Sequence, residues 1–202
     1  MKRVGLTGGI ATGKSYVLGQ LRARGIPCLD ADELAHGVTA AGTEATQAVA
    51  ERFGPDILDE AGAVDRRKLG PIVFADPAAR RDLEAIVHPA VRRAIAAGLR
   101  AFELVGDSPI AVVDIPLLFE THQQQDFARV IVTSCPEETQ LARLQARGLS
   151  VADAKLRLAA QMPTSEKAAR ADFVIDTGGS FDDTNAQIDH VVSALRAEAH
   201  AS

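Results

Sequence analysis

The chain has 202 residues, 47% of them hydrophobic, no tryptophan and a formal charge of −5. That apolar mass suits one α/β domain with small insertions, and the acidic balance argues against bulk nucleic-acid binding, which needs a basic face. Two distant cysteines, Cys28 and Cys135, no apolar run of membrane-spanning length and an N-terminus that leads straight into a strand give the expectation of a soluble, cytoplasmic protein in a reducing compartment.

Residues 4–7 read as a buried strand and residues 15–21 as a helix with Val17, Leu18 and Leu21 on one face. Between them lies Gly8-Gly9-Ile10-Ala11-Thr12-Gly13-Lys14-Ser15, the phosphate-binding loop pattern in its required strand, loop, helix order. Gly8 and Gly13 allow backbone angles closed to other residues, so that successive N–H groups can turn toward phosphate oxygens. Lys14 adds a full charge, the Ser15 hydroxyl is placed to ligate Mg2+, and the helix start faces the anion.

Gly25 stops the first helix and a short second strand ends at Asp30, which caps the next helix in a variant of the capping box with Glu33. Asp32 in the first turn suits the helix dipole. It also stands at the end of the second strand, where a carboxylate can meet a substrate hydroxyl. A helix through Ala45, Val49 and Phe53 closes at Gly54-Pro55, and residues 54–75 read as irregular or short-helical, with Asp65-Arg66-Arg67-Lys68 at a helix start. Asp76-Pro77 opens a long helix, which His88-Pro89 is expected to interrupt and kink, His88 otherwise capping the kink.

Ile110-Ala111-Val112-Val113-Asp114 is a buried central strand ending in an acid suited to a metal or to capping the turn. The apolar loop after it, residues 115–120, either is core or lines a pocket. Residues 128–133 form a fourth strand. Pro136-Glu137-Glu138 opens a helix carrying Arg143 and Arg147, four apart on one face, and a further short helix runs over 151–161. Arginines on such a hairpin are what a closing lid over phosphate requires, although surface arginines also occur there. A fifth strand covers 171–176, and the last helix bears Ile188, Val191, Val192 and Leu195. The fold class is α/β, a five-stranded parallel sheet with helices on both faces.

A phosphate loop by itself fits a kinase or a nucleotide switch. Guanine-specific switches use Asn-Lys-x-Asp, and the only asparagine here, Asn185, precedes an alanine. The residues alone therefore leave open a small-molecule kinase for one of several hydroxyl acceptors, or a non-catalytic switch.

The ordered set of the loop with Leu6-Thr7, Asp30-Ala31-Asp32 with His36, Leu83-Glu84 through His88-Pro89, Asp114-Ile115-Pro116-Leu117-Leu118-Phe119-Glu120, Arg143 to Arg147 with Gln161, and Ala171-Asp172 through Asp176 with Gly178 resembles the dephospho-coenzyme A kinase family over nearly the whole chain. The resemblance implies a phosphate-loop kinase fold in a single domain, 1–202, with a helical acceptor-binding insertion at about 54–105 and a helical lid at about 136–162. It implies transfer of the γ-phosphoryl group of ATP to the ribose 3'-hydroxyl of dephospho-coenzyme A. Gly8, Gly9, Ala11, Thr12, Gly13, Lys14, Ser15, Tyr16 and Arg147 would then hold ATP, with Ser15 and Asp114 on Mg2+. Asp32, Lys14 and Arg143 would be catalytic, and Arg66, His88 and Leu117 would join Asp32 at the acceptor. No nucleic-acid or membrane partner is expected, and oligomeric state is left open. Tyr16 and Thr177 depart from the family's usual Thr and Asn at those places.

Overall fold

The computed structural model describes residues 1–201. The chain forms two compact units, one of residues 1–28 and 102–201, the other of residues 29–101.

Five strands, β1 (Lys2–Gly8), β2 (Cys28–Asp30), β3 (Ile110–Asp114), β4 (Arg129–Ser134) and β5 (Phe173–Asp176), pair in the order β2-β3-β1-β4-β5, and all but the last two residues of β2 belong to the first unit. The parallel register pairs Leu6 with Asp114 on one side of β1 and with Ile131 on the other. β2 is led in by Val112 N–H, which donates to Pro27 O at 2.9 Å. These are the strands the apolar runs predict, because a parallel sheet covered on both faces selects continuous Val and Ile rather than alternation.

Helix α1 (Lys14–Ala23) and the C-terminal helix α9 (Phe181–His200) cover one face. Val17, Leu18 and Leu21 from α1, and Ile188, Val191, Val192 and Leu195 from α9, close on Val4, Leu6, Ile110, Val112, Ile131 and Ile175. α9 begins at a reciprocal capping box between Ser180 and Asp183. Strand side chains alternate, so the opposite face carries Gly5 and Thr7. A Cβ on Gly5 would come within 3.1 Å of Leu118 and 3.3 Å of Phe127, so the missing side chain lets both pack flat on the sheet. Leu118 and Phe119 are therefore core, whereas Leu117 is 41% exposed, which divides the apolar loop between the two uses expected of it.

Three further helices belong to this unit: α6 (Glu137–Ala146), α7 (Val151–Ala159) and α8 (Thr164–Ala169). The first two match expectation. The third is too short for a periodic signal. Arg143 and Arg147 do not share a helical face as expected, because α6 ends at Ala146 and Arg147 is its exposed C-cap.

The second unit contains α2 (Ala31–Val38), α3 (Glu44–Phe53), α4 (Arg66–Ala75) and α5, which runs from Pro77 toward Val105. Asp30 caps α2 through its Oδ1, which accepts from Asp32 N–H at 2.8 Å and Glu33 N–H at 3.2 Å. Asp76 Oδ1 accepts from Ala78 N–H at 2.7 Å, as the Asp-Pro opening predicts. α5 does not stop at His88-Pro89. It is helical throughout Pro77–Val105, so His88 lies within a helix and caps nothing. Proline there removes one N–H donor, a local loss that burial of Ala79, Ala90, Ile95 and Leu99 along the same helix outweighs. The core of this unit is Val49, Ile57 and Leu69, with Phe53, Leu83, Ile86 and Val87 packed around it.

Ile131 is fully buried on the central sheet, whereas Phe74 is 93% exposed. Ile131→Ala is expected to cost about 2–5 kcal/mol of folding free energy, and Phe74→Ala no more than about 0.5 kcal/mol. Equal shifts of the two urea midpoints would contradict this assignment of the core.

Candidate active site

The loop between β1 and α1 is shaped from behind. Five successive carbonyl oxygens, those of Gly8, Ile10, Ala11 and Thr12 together with Gly9, each accept from a side chain. Thr12 Oγ1 donates to Gly9 O at 2.8 Å and sits 2.7 Å from Thr133 Oγ1. Gln140 Nε2 donates to Ile10 O at 2.7 Å, Arg143 to Ala11 O at 3.1 Å, Thr177 Oγ1 to Thr12 O at 2.7 Å, and Lys167 Nζ to Gly8 O at 3.5 Å. Ile10 is held from both sides, since its N–H donates to Gln161 Oε1 at 3.0 Å.

With the Ile10 and Thr12 carbonyls turned back, the N–H groups of Ala11 and Gly13 in the same peptide planes face the other way, and those of Lys14 and Ser15 follow at the start of α1. Among the described residues, the N–H groups of Ala11, Gly13, Lys14 and Ser15 have no hydrogen-bond partner. Ala11 has φ 60 and Gly13 φ 79, both in the left-handed region. At Gly13 the absence of a side chain also matters for space, because a Cβ would meet Thr177 at 3.2 Å. A non-glycine residue in that region costs of order 1 kcal/mol, and Ala11 is kept there by packing with Leu144 and Ala154 of α6 and α7. Left-handed residues next to right-handed ones gather N–H groups into a concave anion site, and here that site joins a helix N-terminus.

Lys14 and Asp114 are brought together across 100 residues of sequence. The ammonium contacts both carboxylate oxygens at 2.5 Å, and Asp114 is 1% exposed. Ser15 lies exposed on the first turn of α1. Tyr16 turns toward α9, its hydroxyl donating to Asn185 Oδ1 at 3.2 Å and its ring 4.8 Å from that of Phe181. A cavity of about 710 Å³ opens beside the loop, lined by Gly9, Ile10, Pro136, Gln140, Lys155 and Gln161 among others.

Arg143 is placed behind the loop rather than over it. Besides Ala11 O, its guanidinium donates to Thr177 O at 2.6 Å and to Thr177 Oγ1 at 3.2 Å. Thr177 thereby joins Arg143, Thr12 and, through its own N–H at 2.8 Å, Ser134 O. Sequence reasoning noted Thr177 only as a departure from a pattern and missed Gln140 and Lys167. Each acts across more than 100 residues, and nothing local marks it. Burial pushes the Cys28 thiol up to about 12, and it raises that of Cys135, so neither is a thiolate nucleophile.

In the second unit, Asp32 is exposed in the first turn of α2, and among the described residues its carboxylate has no hydrogen-bond or ion-pair partner. A separate cavity of about 330 Å³ in the same unit brings Arg66 and His88 together, with Ala35, Thr39, Val73 and Val87 on its wall. Leu117 belongs to the first unit. No helix of the described residues is long and apolar enough to cross a membrane.

Comparison with known proteins agrees with these features. A family profile described as dephospho-CoA kinase matches residues 2–183. The dephospho-CoA kinase of Anaeromyxobacter dehalogenans (strain 2CP-C) is 47% identical over 197 residues, 97% of this chain and 93% of that protein. Among solved structures, TT1252 from Thermus thermophilus is 35% identical with a TM-score of 0.81, covering 96% of this chain and 97% of that one. Dephospho-CoA kinase from Campylobacter jejuni is 29% identical with a TM-score of 0.74, covering 98% and 99%. Similarity of this extent, over a loop built to hold phosphate, places the chain in the dephospho-CoA kinase family.

Proposed function

We propose that this protein is an ATP-dependent kinase that phosphorylates the ribose 3'-hydroxyl of dephospho-coenzyme A, giving coenzyme A and ADP, the final step of coenzyme A synthesis. The observation that carries the chemistry is the arc of partnerless N–H groups at Ala11, Gly13, Lys14 and Ser15 beside the Lys14 ammonium. Family membership supplies the acceptor.

Phosphoryl transfer passes through a loose transition state, so catalysis is mostly positioning and charge stabilisation. In this reading the open amides of Ala11, Gly13, Lys14 and Ser15, with the Lys14 ammonium, grip the β- and γ-phosphates, while Gly8, Gly9 and Thr12 border the nucleotide and shape the loop. Asp114 keeps the ammonium of Lys14 aimed from one side. Arg143 serves the reaction through the loop and the Thr177 it braces. Arg147, exposed at the end of α6, is the arginine available to meet phosphate, and Tyr16 borders the nucleotide on the α9 side. Asp32 accepts the proton of the acceptor hydroxyl or orients it. Its carboxylate is not committed to any protein group. Arg66 and His88, with Glu84, line a largely apolar cavity that this reading assigns to a substrate with an anionic diphosphate and an apolar arm; Leu117, exposed in the first unit, is assigned to the acceptor by the same reading.

Mg2+ fits the donor set. It favours one or two protein oxygens together with water and phosphate; Ser15 Oγ would supply one, and Asp114, whose two carboxylate oxygens both contact Lys14, would act on the ion through water. No cluster of three or more His, Cys, Asp or Glu occurs among the described residues, which suits an ion that arrives with the nucleotide. Held there, such an ion would supply neutralisation of phosphate charge. We assign the protein to the cytoplasm.

A coupled ADP-release assay with a panel of acceptors tests the reading. Turnover should rise with dephospho-coenzyme A and stay at the acceptor-free level with adenosine, shikimate or gluconate; equal stimulation by adenosine would overturn it. Asp32→Asn should lower kcat by about 10²–10⁴-fold and leave the KM for ATP nearly unchanged. An unaltered kcat would remove Asp32 from the chemistry.

A further inference from the structure

Lys167, on the short helix α8, is fully buried, the largest side chain in the protein to be so. Its ammonium has three N–H bonds and three acceptors: Glu120 Oε1 at 2.8 Å, Pro116 O at 3.1 Å and Gly8 O at 3.5 Å. These acceptors belong to different segments. Gly8 ends β1 and begins the phosphate loop. Pro116 and Glu120 bracket the loop that follows Asp114 and carries Leu117. Two of the same groups take further bonds. Pro116 O accepts from Thr7 Oγ1 at 3.0 Å, and Glu120 Oε1 accepts from Met162 N–H at 3.1 Å, next to the Gln161 that holds Ile10.

Stability does not account for this arrangement. A buried ion pair loses hydration that its mutual attraction only partly returns, and an apolar pair of similar volume is often as stable or more so. Glu120 Oε2 adds to the cost, since it is buried with no hydrogen-bond partner among the described residues. What the ammonium supplies, and an apolar group would not, is direction: three bonds that set the loop after Asp114 at a fixed distance from the base of the phosphate loop.

We infer that Lys167 is a positioning residue for phosphoryl transfer, holding the segment 114–120 in register with the Gly8–Ser15 loop through Gly8 O, Pro116 O and Glu120. The inference rests on the kinase reading above. Asp114, which holds Lys14, sits two residues before Pro116, so a shift of this segment moves the ammonium that faces the phosphates.

The test compares purified Lys167→Met, Lys167→Arg and Glu120→Gln with the parent protein. Lys167→Met is expected to lower kcat with dephospho-coenzyme A by about ten- to a hundredfold while calorimetric affinity for ATP is kept. Amide exchange should quicken by about tenfold across residues 117–123 and remain unchanged in α9. Lys167→Arg, which keeps charge and donors, should restore part of kcat. Glu120→Gln, a milder change at a partly exposed residue, should lower kcat in the same direction and stands in for Lys167→Met should that variant not fold. Retention of full kcat by either Lys167→Met or Glu120→Gln would overturn the inference, as would faster exchange throughout α9, which marks a merely structural role. Should the parent protein be idle with dephospho-coenzyme A, the assigned reaction would fall, and the local exchange in 117–123 would still decide whether Lys167 holds the segment.

Discussion

The site depends on a backbone that has been turned around. From Gly8 to Thr12 the carbonyl oxygens are drawn back by Lys167, Thr12, Gln140, Arg143 and Thr177; this leaves the N–H groups of Ala11 and Gly13 facing outward, and those of Lys14 and Ser15 join them as the open first turn of α1. A peptide plane is rigid, so fixing the oxygen fixes the N–H on its far side. In the proposed reading the protein binds an anion with groups it cannot lose to mutation of their own side chains. It controls them with side chains placed elsewhere in the chain.

The same logic explains why polar residues are buried where a sheet of this kind would otherwise be aliphatic. Thr7, Thr12, Thr133 and Thr177 are all at or near zero exposure, yet each hydroxyl has a partner within the loop or at the strand ends beside it. Burial of a hydroxyl without a partner costs of order 1–3 kcal/mol, and here every one is spent on holding backbone. Ala11 shows the balance from the other direction. Its left-handed conformation is unfavourable in isolation, and packing against Leu144 and Ala154 keeps it in place. The helices that read as a lid therefore also form the floor under the loop.

Much of the architecture was legible because it is locally encoded. The strand, loop and helix order around Gly8–Ser15, the unbroken apolar run of β3, and the caps at Asp30 and Asp76 each follow from a few adjacent residues. What was not legible depends on distance. Lys167 sits in a polar stretch, Thr164-Ser165-Glu166-Lys167, that reads as surface until β1 and the loop after Asp114 arrive to bury it. Arg143 reads as a lid arginine because only its own helix is visible in sequence, whereas Ala11 and Thr177 decide where its guanidinium goes. Pro89 reads as an interruption and kink of one long helix, whereas α5 is continuous, because local rules cannot weigh the burial gained along its 29 residues.

Backbone amide NMR during titration with ADP and Mg2+ tests the central idea most directly. The account predicts that the largest shifts fall on the N–H groups of Ala11, Gly13, Lys14 and Ser15, with Ile10, already committed to Gln161, moving little. Saturable binding that leaves those four resonances in place and shifts others instead would contradict it.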